Sequence, residues 1–204
     1  MREVCKTVYN YSELSEKAQE KARDWYRGGA FDYEWWDYTV EEFVTIGNML
    51  GITFDGEGTR NLRVHFSGFW SQGDGASFAG SWEYKANALC EVKREFPHNR
   101  ELHDIAEALH QIAVRYEQSE GCDEDYPLSA LIYISPSRYC NENTMRCTSD
   151  SEDLDEDLLE QFRSLAQWLY SRLENQWEDM NSDEVVAESI ECNEYEFNED
   201  GTIA

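Results

Sequence analysis

A chain of 204 residues with 7 Trp, 12 Tyr and 9 Phe can bury a sizeable core, so global disorder is excluded despite the charge. The formal net charge is −26, and it is uneven: residues 1–102 hold 12 bases and 17 acids, residues 103–204 hold 5 bases and 26 acids. Such a surface repels free nucleic acid and anionic lipid and attracts basic proteins, which argues against direct DNA or RNA binding.

Charges at Arg2, Glu3 and Lys6, with no apolar run behind them, predict no signal peptide. The longest uncharged runs, Phe43–Phe54 and Tyr126–Ser137, are 12 residues each, whereas a bilayer span needs about 20. The expectation is a soluble intracellular protein with no membrane partner. Cys5, Cys90, Cys122, Cys140, Cys147 and Cys192 are scattered, and no Cys-x-x-Cys pair supports a zinc or redox site. Cys140 and Cys147 could face each other across a hairpin, though a reducing cytosol favours free thiols.

In chain order, residues 2–10 alternate as a strand. Ser15 is placed to cap a helix through Arg27, with Ala18, Ala22, Trp25 and Tyr26 on its buried side and Gly28 and Gly29 as its end. A second helix is expected over Glu34–Leu50, with Trp36, Val40, Phe43, Val44 and Met49 or Leu50 inward and Gly51 as terminator. Ile52 and Phe54 lead to a turn at residues 55–58, and Leu62, Val64 and Phe66 alternate with Arg63 and His65 as a half-buried strand. A glycine-rich link over Ser67–Gly80 precedes a strand at Ser81–Lys85. A short helix over Asn87–Glu95 stops before Pro97.

Asn99 caps a helix to Glu117 whose Leu102, Ile105, Ala106, Leu109, Ile112, Ala113 and Tyr116 keep helical spacing. An acidic link, Gln118–Tyr126, leads to a strand at Ala130–Ile134 that could pair with Thr144–Thr148. Then comes the most amphipathic stretch, Asp150–Glu178. It opens with seven acids in eleven residues, and Leu154, Leu158, Phe162, Leu165, Leu169 and Leu173 share one face. Asp153, Glu156, Asp157, Glu160, Glu174 and Glu178 fall on the other, with Ser164, Gln167 and Ser171 between them. Asp153 and Glu156 have capping-box spacing. Asn181 or Ser182 caps a helix over Asp183–Glu191, and Glu194–Ala204 reads as a hairpin turning at residues 198–201. This is an α+β fold: one domain, an antiparallel sheet against several amphipathic helices. Its segments are 1–86, 87–149 and 150–204.

Three segments carry a resemblance: Leu14–Tyr26, the run Phe66-Ser-Gly-Phe-Trp-Ser-Gln-Gly-Asp-Gly-Ala-Ser-Phe78, and Asn193–Gly201. Together they resemble a group of small acidic proteins encoded by bacteriophages and prophages. The resemblance implies a phage protein working in the cytoplasm of an infected bacterial host. The group as a whole has no established activity, so no catalytic residue is carried over.

Two constellations remain. The loop Ser71–Ser77 joins two strands. It lacks the Gly-Lys-Ser/Thr of a phosphate-binding loop and the central serine of a nucleophile elbow. Trp70, Ser71, Gln72, Asp74 and Ser77 could form a small-ligand site, for a nucleotide signal to be held or cleaved. The plainer reading is a tight hydrogen-bonded turn. His103, Glu107 and His110 form a helical stripe, but no third histidine or second carboxylate helix completes a metal site. No metal, cofactor or catalytic residue is expected.

The carboxylate row is the other constellation. Acids four apart on a helix stand about 6 Å from one another, near the spacing of phosphates along a strand. Asp153, Glu156, Asp157, Glu160, Glu174 and Glu178 could therefore occupy a nucleic-acid channel on a basic host protein or ribonucleoprotein. The expected function is a non-enzymatic anti-defence inhibitor, of anti-CRISPR or anti-restriction type. A merely solubilising surface is the plain alternative.

Overall fold

The computed structural model describes residues 6–29, 34–56, 61–119 and 126–204. Cys5, Cys122, the start of the first expected strand, the second half of the 55–58 turn and most of the 118–126 link lie outside them. The elements are β1 (Tyr9–Asn10), α1 (Glu16–Gly29), α2 (Asp37–Leu50), β2 (Ile52–Phe54), β3 (Val64–Ser67), β4 (Gly75–Phe78) and β5 (Gly80–Glu83). Then follow α3 (Ala88–Glu95), α4 (Arg100–Glu117), β6 (Ser129–Ile134), β7 (Met145–Ser149), α5 (Asp155–Met180), α6 (Asp183–Cys192) and β8 (Glu196–Phe197). The α+β class read from the sequence is the class of the structure.

Two compact units divide the chain: Met1–Trp35 with Glu174–Ala204, and Trp36–Leu173. In the first, β1 pairs antiparallel with β8, Tyr9 opposite Phe197. Tyr11, Leu14, Ala18, Ala22, Val186, Ile190 and Phe197 form its core. Ser182 caps α6 by accepting from the Val185 backbone at 3.3 Å. Arg23 and Arg27 reach Asp183 at 3.1 and 2.5 Å, and Lys21 reaches Asp200 at 2.7 Å. Three expectations change here. Among the described residues the first strand is only Tyr9–Asn10, opposite the two residues of β8. Gly28 and Gly29 are the last two residues of α1, but they are helical and do not have the positive φ expected of a terminator. Trp25 is 38% exposed and stands edge-on to Tyr195 and Phe197, at 5.2 and 5.8 Å.

The second unit is built on a four-stranded antiparallel sheet in the order β2-β5-β6-β7, with β3–β4 as a separate hairpin. Alternation sends Ile52, Phe54, Trp82, Ala130 and Ile132 inward. Phe43 of α2, Phe54, Phe78 and Phe162 of α5 meet ring to ring at 5.3 to 6.4 Å, and the indole of Trp82 donates to Leu50 O at 2.9 Å. Gly51 ends α2 with φ +97°, a left-handed angle that glycine adopts without penalty. The α4 face is buried residue for residue as its spacing predicts, and Asn99 Oδ1 accepts from Leu102 N.

Two corrections concern this unit. In α2 the buried residues are Thr39, Phe43, Ile46, Gly47 and Leu50, while Val40, Val44 and Met49 are only partly covered. The helix starts at Asp37, three residues later than expected, and its buried stripe of Thr39, Phe43, Ile46 and Leu50 keeps three- and four-residue steps on a neighbouring face to the one taken as inward. The glycine-rich link is half strand: β4 is buried at all four positions, and burial on both sides erases the alternation that marks a strand.

Candidate partner-binding ridge and hairpin loop

The sequence concentrates acid where β7 turns into α5, and the fold divides that acid into two groups. Some carboxylates hold the turn together. Asp155 Oδ1 accepts from the Ser149 backbone and hydroxyl at 2.7 and 2.6 Å, and Asp150 Oδ2 accepts from both groups of Ser129 at 2.9 Å. The capping box expected from Asp153 and Glu156 gives way to this arrangement. Glu152–Leu154 form a 3-10 turn, and α5 begins only at Asp155.

The remaining acids face outward. Leu158, Leu159, Phe162, Leu165, Ala166, Trp168, Leu169 and Leu173 seat α5, so every position of the expected seam is buried. Asp153, Glu156 and Glu160 are exposed, and Asp157 is half-buried. Of these, Asp157 meets Arg115 of α4 at 2.5 Å and Glu156 meets Arg163 at 3.5 Å. Both pairs are open to solvent on at least one side, and such surface pairs are worth at most about 1 kcal/mol, so a stronger cationic partner can replace them. Farther along α5, Glu178 is exposed and Glu174 half-buried. Among the described residues, Asp153, Glu160, Glu174 and Glu178 have no ion pair. Arg172 is drawn to Glu42 at 3.2 Å and lies over the Trp168 ring.

Sequence reading missed both arginines. Arg163 stands seven residues after Glu156, two helical turns on the same stripe, and that signal was available. Arg115 comes from another helix, and nothing local pairs it with Asp157. Beside this pair α4 and the start of α5 enclose an open groove of about 660 Å³, lined by Ala108, Ile112, Arg115, Asp157 and Glu160 among others.

The hairpin loop is held from within. Asp74 Oδ2 accepts from the backbones of Trp70 and Ser71 at 3.0 and 2.6 Å. Tyr170 of α5 donates to Gly68 O at 2.9 Å and its ring lies 5.5 Å from Phe69. Gly73 has φ +98° and packs so closely on Tyr139 that a β-carbon would come within 2.5 Å of the ring. Trp70 is 76% exposed, and Ser71 and Gln72 are exposed beside it. Ser77 lies on β4 with no exposure, so it is not grouped with them at the tip.

The histidine stripe is engaged elsewhere. His103 Nε2 contacts Phe96 O at 2.9 Å, His110 Nδ1 contacts the Tyr84 hydroxyl at 2.6 Å, and Glu107 faces Lys93 at 3.9 Å. Burial raises the Tyr84 hydroxyl above its usual range. Among the described residues no three His, Cys, Asp or Glu side chains converge as metal ligands. Cys140 and Cys147 are free thiols, and burial, with Asp155 adding to it, pushes Cys147 up to about 12. No helix among the described residues is long and apolar enough to cross a membrane.

A family model described as "Domain of unknown function (DUF8835)" matches residues 35–183, a span that takes in Trp36–Leu173 entire. No curated protein and no solved structure matches the chain.

Proposed function

The chain belongs to the DUF8835 family, and we propose that it is a phage-encoded, non-enzymatic inhibitor that docks its acidic helix on a basic, nucleic-acid-binding surface of the host. One observation carries this reading. Asp153 and Glu160 stand exposed on or just before α5, without ion pairs among the described residues, while that part of the helix is clamped by a fully buried seam. Charges fixed on a stiff scaffold lose little freedom on binding, and that distinguishes a mimic of a polynucleotide backbone from a mobile acidic tail. Glu156 and Asp157 join the row once a partner's arginines displace Arg163 and Arg115, since a bidentate arginine–carboxylate bond in a drier interface is stronger than an exposed pair.

The partner class is a host defence complex with a guide- or DNA-binding channel, of CRISPR-effector or restriction type, in the cytoplasm of an infected bacterium. The phage setting rests on the resemblance carried by Phe66–Phe78 and the two end segments. The test is capture from bacterial lysate on the immobilised chain, beside a variant carrying Asp153→Lys, Glu156→Lys, Glu160→Lys and Glu178→Lys. The wild-type chain should retain nucleic-acid-binding proteins that heparin and duplex DNA release, and the variant should retain none. Equal capture by both chains would remove the reading. The small-ligand alternative would place Trp70, Ser71 and Gln72 against the ligand, with Asp74 holding the loop.

A further inference from the structure

The four-stranded sheet has a second face. The alternation that sends Ile52, Trp82, Ala130 and Ile132 into the core sends their neighbours outward. The register lines these neighbours up across the strands. Ser81, Leu131 and Thr148 form the central row, with Thr53 beside Ser81. Glu83 stands opposite Ser129 in the row on one side, and Tyr133 opposite Arg146 in the row on the other. All of these are exposed except Ser129, which is half-buried.

Antiparallel sheets commonly leave one face to water, and that face is then polar. Here its centre is apolar. Leu131 is 63% exposed and Tyr133 46%, and they stand side by side on the inner strand β6. The face is also electrically balanced. Acids outnumber bases 43 to 17 in the chain, yet this face carries one of each, Glu83 and Arg146. Neither has an ion pair among the described residues. Arg146 is held in place all the same. Its Nη1 donates to Asn143 O at 2.9 Å and to Met145 O at 2.7 Å, which keeps the guanidinium at the rim of the face.

The two charges lie on a diagonal through Leu131. Glu83 is one strand over and level with Ser129, two residues before it; Arg146 is one strand over the other way and level with Tyr133, two residues after it. Each is therefore about 8 Å from Leu131 in the plane of the sheet. A two-fold axis lying in that plane, through Leu131 and at right angles to the diagonal, sets Leu131 on its own copy. The same axis sets each Glu83 over Arg146 of the second copy. The strands of the two sheets then cross steeply, as in orthogonal sheet packing.

We infer that this sheet face is the contact between two copies of the chain, with Leu131 at its centre and a Glu83–Arg146 pair on either flank. A basic partner, the kind that suits the carboxylate ridge, finds no excess of acid here. A second copy at −26 is repelled except where the surface is balanced and its charges are matched. Three strand spacings and five residues make the face about 14 by 17 Å, so the dimer belongs to the weak, transient class. This contact stands independently of the partner-binding ridge.

The experiment is sedimentation equilibrium of the full chain at about 150 mM salt, where a Debye length of about 8 Å screens the general repulsion. The wild-type chain should dimerise with a Kd on the order of tens of micromolar. Leu131→Thr, which keeps a strand-forming side chain, should weaken the dimer at least about tenfold. Glu83→Arg and Arg146→Glu should each weaken it as much, because each sets like charges face to face. An equimolar mixture of those two variants should restore a one-to-one dimer, since every arginine again meets a carboxylate. All three positions are exposed, so each variant should keep the wild-type circular dichroism. Three results would overturn the inference. A wild-type chain that stays monomeric up to about 1 mM leaves the face to a different partner. A dimer that persists unchanged in both single charge variants is made elsewhere on the chain. A mixture that stays monomeric while the wild type dimerises excludes the two-fold pairing.

Discussion

Asp74 shows how one side chain can be read two ways until its partners are known. From the sequence it is either a polar group at a ligand loop or a turn former. The structure gives Oδ2 to the Trp70 and Ser71 backbones, a holding task. Asp74→Ala should therefore destabilise the second unit by about 1–3 kcal/mol in chemical denaturation, since two backbone donors lose their acceptor. Asp74→Asn should recover part of that loss. Cys147 offers a sharper chemical test. Its thiol is pushed up to about 12, so at pH 8 its thiolate is on the order of a thousandfold scarcer than for an ordinary cysteine. Iodoacetamide should modify exposed Cys90 and Cys192 first, and mass spectrometry of the native chain should find Cys147 intact. Residue types and turns were legible at this scale. Partners brought by other elements, such as Arg115 for Asp157 or Asn141 for Gly73, were not, because no local spacing encodes them.

Elements were legible in proportion to how one-sided they are. The α4 and α5 seams follow 3.6-residue periodicity with one polar face, and their buried residues agree with the spacing. β4, covered on both sides and made of Gly75, Ala76, Ser77 and Phe78, left no alternating pattern to read. Within α5 the two faces should respond oppositely to mutation. Leu165→Ala, at a fully buried position, should lower stability by about 2–5 kcal/mol. Glu160→Lys, exposed and unpaired, should change it by no more than about 0.5 kcal/mol, whereas partner capture should fall. Urea denaturation of both variants separates the seam that holds the helix from the ridge it presents.

At the scale of the whole molecule, acidity was plain from composition, but how it is distributed over the surface was not. A single helix, α5, contributes Asp155–Leu173 to one compact unit and Glu174–Met180 to the other. Hydrogen bonding from Arg27 holds the Asp183 carboxyl below its usual range, and that from Lys21 does the same for Asp200. A depressed folded-state value gives a contribution that is fully present above about pH 4 and is lost as pH falls through the folded values. Acid unfolding of the first unit, followed by tryptophan fluorescence between pH 5 and 2, should thus be shallower in an Asp183→Asn/Asp200→Asn variant than in the wild type.

The most direct measurement of the ridge's role is the salt dependence of binding to whatever host protein the chain retains. Titration between about 50 and 300 mM salt should show the affinity falling steeply and linearly on logarithmic axes, and reversal of the four ridge charges should abolish binding at every salt concentration. An affinity that holds constant across that range, or survives the reversal, would contradict the account.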